Sequence, residues 1–341
     1  MDWSHVGEFG LIERIRHIAG SPRPPLITGI GDDAAVLSPT STTLALVSTD
    51  AMVEGRHFLR AWMTPAQIGA RAATAALSDI AAMGGTPTAL LCSLCIGPDW
   101  TVAEIEELVQ GASDLGRRFE VSLAGGDVVT ADARDGRCNV PLMIDMVALG
   151  QVQSDRVWLR SAAQAGDRVL VTGTLGDAAA AIALHTASSC HRQNRFGSLQ
   201  IRLTSPIPRL DVSALLGPLD SIHAAIDISD GLLQDAGHVA AASGVRLQLR
   251  AATIPVNRQL LDCATLLGAD PLDWAVAGGE DYELLLTAPP EKVPKMQDVL
   301  REIGVPLTDI GEAVEGEGVA LLDGDGAEMK TSKCGWDHFR A

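Results

Sequence analysis

The sequence predicts a two-domain chain of alternating strands and helices, on three observations. Its 341 residues exceed a single ordinary domain. Short apolar segments alternate with alanine-rich helical stretches along the whole length. The texture then resets after Val152–Arg160, where Gly166-Asp167 introduces a fresh strand. The domains are therefore expected to span residues 1–152 and 153–341.

In the first domain, apolar runs place strands at Thr43–Ser48, Ala89–Ile96, Val121–Ala124 and Leu142–Gly150. A helix over Pro65–Met83 has Thr64 as cap, Pro65 at its first position and Gly84-Gly85 as its stop. A second helix, Val102–Arg118, opens on the capping box Thr101/Glu104, and its apolar face runs Ile105, Leu108, Val109, Ala112 and Leu115. In the second domain, strands are expected at Arg168–Thr172, Ala224–Ile228, Val245–Arg250 and Glu283–Thr287, with two more closing the chain. Helices are expected at Ala178–His185, Leu232–Ala242, near Asn257–Leu267 and at Glu291–Ile303. Ser188–Arg202 is polar and irregular, and reads as a loop.

The charge balance excludes several classes. With 26 Lys+Arg against 43 Asp+Glu the net charge is −17, which argues against a broad nucleic-acid or anionic-membrane surface. No apolar run reaches the roughly eighteen residues of a membrane span. The start, Met1-Asp2-Trp3-Ser4-His5, has neither a basic region nor an apolar core, so no signal peptide is expected. The 6 scattered cysteines read as reduced thiols, and the expected location is the cytoplasm. Lysine occurs only at 292, 295, 330 and 333. A Walker A lysine and a kinase-type strand lysine are thus both missing. A nucleotide bound by this chain would need divalent cations held by carboxylates, with arginine assisting.

The acids that matter sit beside glycines or at the ends of apolar segments. They fall in Gly29-Ile30-Gly31-Asp32-Asp33, Val47-Ser48-Thr49-Asp50, Leu77-Ser78-Asp79, Gly125-Gly126-Asp127, Ile226-Asp227-Ile228-Ser229-Asp230-Gly231 and Gly278-Gly279-Glu280-Asp281. Strand ends present polar groups to a cleft, and glycine lets backbone approach a ligand. Taken singly, each acid is also what a turn or a helix N-cap uses, Asp230 before Leu232 above all. Taken together they suit metal–phosphate chemistry, because Mg²⁺ takes hard oxygen ligands and shares them with substrate phosphates. Asp79 stands out, as a carboxylate on so apolar a helix either faces water or is paired or metal-bound. His57 is a candidate for phosphate or substrate and Arg160 for a phosphate across the domain junction. A lone His is more often structural or exposed, and an arginine such as Arg160 is ordinarily a surface residue. Cys92-Ser93-Leu94-Cys95 lacks the second pair of a metal site, and Gly173–Asp177 resembles a phosphate-binding turn only weakly.

These stretches, with Gly7–Ile12, Gly55-Arg56-His57-Phe58, Val171-Thr172-Gly173, Gly278–Leu284 and Gly335-Trp336-Asp337-His338-Phe339, resemble the thiamine-monophosphate kinases. That family lies within the superfamily of aminoimidazole ribonucleotide synthetase. The resemblance runs in family order over essentially the whole chain. It implies an α+β N-terminal domain whose mixed sheet pairs with its copy in a homodimer, followed by an α/β C-terminal domain. It also implies transfer of the ATP γ-phosphoryl group onto thiamine monophosphate.

By motif, Asp33, Ser48, Thr49, Asp50, Asp79, Asp127, Asp227 and Asp230 would hold several Mg²⁺ ions. Gly126, Asp127, Arg160 and Ser229 would contact ATP, while His57, Glu280 and Trp336 would contact the thiamine phosphate. Four positions at three motifs depart from the family pattern: Ala76 for Asn, Val128-Val129 for Thr-Thr, and Arg56 for Asn. A sister ATP-dependent synthetase and a non-catalytic nucleotide- or divalent-ion-binding module are the alternatives. No cysteine precedes Cys92, and Cys334 is followed by seven residues. Those two facts weigh against the selenophosphate-forming and hydrogenase-maturation members.

Overall fold

The computed structural model describes residues 26–28, 31–38, 42–130, 140–187, 195–329 and 335. The first half forms a six-stranded mixed sheet from β1 (Leu26–Thr28), β2 (Ala35–Leu37), β3 (Thr43–Val53), β4 (Thr86–Ile96), β5 (Ser122–Thr130) and β6 (Met143–Gln153). Their order is β1-β2-β3-β6-β4-β5, and only β4 and β5 run parallel. Helices α1 (Pro65–Ala82) and α2 (Val102–Arg118) pack together beside this sheet. Each opens on a capping box, Thr64/Gln67 and Thr101/Glu104, which satisfies amide donors that the first turn leaves unpaired.

Alternation fixes which face of the sheet meets the core. Leu44, Leu46, Ser48 and Met52 of β3 are buried, as are Ile144, Met146 and Ala148 of β6. The residues between them, including Val47, Thr49, Val147 and Leu149, line the opposite, half-exposed face.

The second half builds another six-stranded mixed sheet, in the order β12-β9-β11-β7-β10-β8. Its strands are β7 (Arg168–Thr172), β8 (Ala224–Ile228), β9 (Arg246–Arg250), β10 (Glu283–Ala288), β11 (Leu307–Val314) and β12 (Gly318–Leu322). All neighbours are antiparallel except β12 and β9. Three helices lie between β7 and β8: α3 (Asp177–Thr186), α4 (Gly197–Thr204) and α5 (Leu210–Leu216), with α6 (Leu232–Ser243) following β8. α7 (Arg258–Leu267), α8 (Pro271–Ala277) and α9 (Val293–Glu302) complete the set. β8 and β10 are buried along their whole length because both faces of the sheet are covered. One face packs on α6 and α8, the other on α5 and α9.

The two halves share one core. Ala178, Ala181 and Leu184 of α3 and Leu199 and Leu203 of α4 belong to the same apolar cluster as Ile68, Ala72 and Leu77 of α1. α1 is buried on almost every side, which explains its near-continuous Ala/Leu/Ile composition.

Two expectations change. Residues 197–204 are the helix α4 and not loop, because Phe196, Leu199 and Leu203 form an apolar stripe that docks on α1 beneath polar neighbours. The rest of the expected loop, residues 188–194, lies outside the described residues. The strand expected to end at Ala124 runs on through Gly125-Gly126-Asp127 to Thr130, since pairing with β4 carries it across the glycines.

Candidate functional site at the domain junction

Three elements deliver one carboxylate each to a single point. Asp33 comes from the turn before β2, Asp79 from the last turn of α1, and Asp227 from β8. One ligand oxygen from each lies within 4.8 Å of the others. Asp33 and Asp227 are buried, while Asp79 retains a narrow opening to solvent. Burial first, and then the charges of Asp33 and Asp50, push the Asp227 carboxyl up to about 8. Burial and the Asp227 charge likewise raise Asp79 well above its ordinary range.

The surrounding hydrogen bonds place these oxygens. Ser48 Oγ donates to Asp79, and Ser78 Oγ donates to Asp227 Oδ2 at 2.7 Å. Arg160 spans the domain junction and grips Asp33 bidentately, Nε to Oδ2 at 3.1 Å and Nη2 to Oδ1 at 2.7 Å. Its backbone N–H donates to Asp32 Oδ2 at 3.3 Å. Arg160 thus sets a positive charge directly on one member of the cluster. Three closely spaced carboxylates with hydroxyl neighbours form an all-oxygen donor set, and oxygen is what hard divalent cations take.

Beside this cluster opens a cavity of about 1070 Å³, walled by both domains. Asp50, His57, Ser229, Asp230 and Glu280 are among its polar lining residues, and Met52, Phe58, Trp62, Met63, Ile182 and Trp274 among its apolar ones. Burial foremost, with Asp145 and Asp230 adding to it against Arg71, pushes the Asp50 carboxyl up to about 7. His57 Nδ1 accepts a hydrogen bond from the Val53 amide at 3.0 Å, so the neutral imidazole carries its proton on Nε2.

The two acidic loops of the second domain are stitched together. The Glu280 amide donates to Ser229 O at 2.7 Å and the Tyr282 amide to Ile228 O at 2.9 Å. Gly279 permits this, as a Cβ there would stand 2.4 Å from Ser229 O. Glu280 and Tyr282 adopt positive φ, 70° and 50°.

Some sequence candidates lie apart. Thr49 sits on the exposed face of β3, bonded to Asp145 and turned away from the cluster by the strand alternation that buries Ser48. Asp127 is exposed on edge strand β5, accepting from the Val128 amide at 2.9 Å, and is not part of the three-carboxylate group. Gly126 explains itself by close approach, since a Cβ would lie 1.7 Å from Cys92 O. Asp230 is not the N-cap of α6. That position is Gly231, and the buried Asp235 accepts the Asp230 and Gly231 amides at 3.2 and 3.0 Å. The Gly173–Asp177 turn spends its Gly176 amide on the Asp281 carboxylate at 2.9 Å, which leaves that N–H no phosphate to hold. Trp336 lies outside the described residues.

Residues 31–152 match the family of AIR synthase related proteins in its N-terminal domain, and residues 164–324 match it in its C-terminal domain. A thiamine-monophosphate kinase of Escherichia coli strain K12 is 35% identical over 346 residues, covering 98% of each chain. The chain belongs to the thiamine-monophosphate kinase family. The Aquifex aeolicus member is 32% identical over 339 residues, covering 99% of this chain and all of its own. Among solved structures, "AaThiL complexed with AMPPCP and TMP" superposes with a TM-score of 0.85 at 32% identity, covering 99% of both chains.

The sequence alone left two fully buried charged groups of this family member unmarked. Arg71 is a fully buried arginine paired with Glu280, which lines the cavity. A charged residue on an otherwise apolar helix was the available signal, noticed at Asp79 and equally present at Arg71. Glu283 is the other. It is fully buried, held by Arg202, by Arg209 Nε at 2.5 Å and by Thr172 Oγ1 at 2.6 Å, and it anchors the Gly278–Leu284 loop from behind.

Proposed function

We propose that the chain transfers the γ-phosphoryl group of ATP onto thiamine monophosphate, giving thiamine diphosphate and ADP. The observation that carries this reading is the cluster of Asp33, Asp79 and Asp227, close to Asp50 of a cavity lined by both polar and apolar side chains. A polyanion end and an aromatic end are what thiamine monophosphate presents. The related proteins carry that activity in their names, and a solved relative is described as complexed with AMPPCP and TMP.

The donor set fits Mg²⁺: buried carboxylates repel one another and are pushed toward protonation unless a cation relieves them. Asp33, Asp79 and Asp227 with Ser48 would hold the first ions. Asp50 and Asp230 face the cavity, where further ions would meet the acceptor, and Thr49 and Asp127 are assigned to metal on motif alone. When bound, the ions would neutralise phosphate charge and lessen repulsion between the two polyanions.

The protein's own residues orient the groups. Arg160, Gly126 and Asp127 are assigned to the nucleotide together with Ser229. His57 can donate from Nε2 to an acceptor oxygen, Glu280 offers a carboxylate to the cationic ring system, and Trp336 is assigned to that ring. A phosphate monoester has a second pKa of about 6, so at pH 7 the acceptor is largely a dianionic nucleophile. It needs alignment more than a general base. Transfer is therefore direct and in line, without a phosphoenzyme.

We further assign the chain to a homodimer built on the half-exposed face of the first sheet, where Val47, Val147, Leu149 and the 44%-exposed Met143 gather. Domain limits of 1–152 and 153–341 and a cytoplasmic location belong to the same reading. The deciding experiment follows ADP and thiamine diphosphate formation from ATP and thiamine monophosphate, with and without Mg²⁺. Turnover that requires all three is expected. No thiamine diphosphate in millimolar Mg²⁺ would refute the reading.

A further inference from the structure

Arg71 is an unusual residue for its place. It lies on α1 among Ala72, Ala73, Thr74 and Ala75, and its side chain is fully buried. One end of its guanidinium meets the Glu280 carboxylate, and Nη1 donates to Leu203 O at the end of α4. The guanidinium carbon lies 5.8 Å from the Tyr282 ring centroid. Its Nε is a buried donor with no acceptor among the described residues. A pair that leaves a buried donor unsatisfied is an inefficient source of stability, since replacing both partners by apolar side chains of similar volume is often neutral or stabilising.

Glu280 shows what the charge accomplishes. Its backbone is held at φ 70°, it lines the cavity, and its side chain keeps 24% of its surface exposed. Without a cation behind it, a carboxylate on the same wall as Asp50 and Asp230 would be repelled outward into the cavity.

We propose that Arg71 is a positioning residue of the acceptor site. It reaches from the first domain through the core and fixes the Glu280 carboxylate at one place on the cavity wall, so that Glu280 meets the cationic ring system of the acceptor. The inference rests on the cavity being the thiamine monophosphate site. The ATP phosphates meet the separate cluster of Asp33, Asp79 and Asp227, so Arg71 acts on one substrate and not on the other.

The test uses the full-length protein and the variants Arg71→Met, Arg71→Lys, Glu280→Gln and the double variant Arg71→Met/Glu280→Gln. Arg71→Met should raise KM for thiamine monophosphate at least about tenfold, with KM for ATP within about twofold of wild type. Arg71→Lys restores the charge and should recover most of that loss. The double variant should be no worse than the poorer single, because both remove one interaction. Equal rises in the two KM values, absence of rescue by lysine, or additive losses would each overturn the proposal.

Should Arg71→Met fail to fold, as judged by its thermal melt, Arg71→Lys and Glu280→Gln still decide. A selective effect of Glu280→Gln on thiamine monophosphate with wild-type behaviour in Arg71→Lys supports the proposal, and an unselective effect sinks it. Wild-type protein that does not phosphorylate thiamine monophosphate would defeat the functional reading itself. An active wild type with unselective variants would defeat only the role of Arg71.

Discussion

Replacing Asp50 by asparagine should stabilise the metal-free protein at alkaline pH while damaging turnover. The Asp50 carboxyl is pushed from its ordinary 3.8 up to about 7, foremost by burial and then by Asp145 and Asp230, against Arg71. A carboxyl whose folded value lies above its unfolded one binds its proton more tightly in the native state. Stability is therefore retained below pH 4 and lost progressively as pH rises from about 4 to about 7, after which the loss is constant.

A rise of that size corresponds to at most about 4 kcal/mol, and partial solvent contact of the half-buried side chain brings the expectation nearer 2–3 kcal/mol. Asp50→Asn cannot ionise, so its advantage over wild type should grow through that window. Urea denaturation at pH 5, 6, 7 and 8 in EDTA measures this directly, with the midpoint read against pH. Mg²⁺ should erase the wild-type decline, since a bound cation replaces the proton. A wild type and Asp50→Asn with parallel stability profiles from pH 5 to 8 would show that Asp50 is not the strained ionisation described.

Other perturbations separate the layers of the site. Asp227→Asn should keep the fold yet lose turnover by about a thousandfold in the coupled assay, as removal of one arm of a charge-stabilising site does. Arg160→Met leaves Asp33 buried without its bidentate partner and should cost about 3–5 kcal/mol in EDTA by urea melt, less when Mg²⁺ is present. Gly126→Ala places a Cβ against Cys92 O and strains a φ of 153°, so thermal denaturation should show a loss of about 2 kcal/mol or more. Glu283→Gln weakens a carboxylate held by two arginines, and a loss of about 3 kcal/mol is expected together with a raised KM for thiamine monophosphate.

The sequence revealed most where local chemistry and tertiary context agree. Helix α2 matches its predicted bounds, Val102–Arg118, because Thr101 and Glu104 cap it and its apolar face has a clean 3.6 period. β7 and β8 also match residue for residue, as buried strands read as short continuous apolar runs. α4 stayed hidden because only Phe196, Leu199 and Leu203 mark it within a polar stretch, and their partners are over a hundred residues earlier on α1. Among site residues, Asp33, Asp79 and Asp227 were visible as acids at segment ends. Their convergence was not, since it depends on β8 docking beside α1. Thr49 and Ser48 are neighbours in sequence and opposite in orientation, a distinction that strand register alone decides. Arg71 escaped because a lone arginine in an alanine-rich helix is ordinarily a solvated one.

Helix α1 has a mechanical consequence. From successive turns it sends Arg71 to Leu203 O, Thr74 to Pro206 O at 3.0 Å and Ser78 to Asp227 at 2.7 Å, all partners in the second half of the chain. Swinging the two halves apart would break these three links and expose an apolar surface that both cores share. Hinge opening is therefore not a cheap motion for this molecule, and substrates must enter through the cavity mouth of a largely preassembled cleft. Heating should find the same coupling. A single calorimetric transition, with van't Hoff and calorimetric enthalpies in agreement, is what a helix common to two cores dictates.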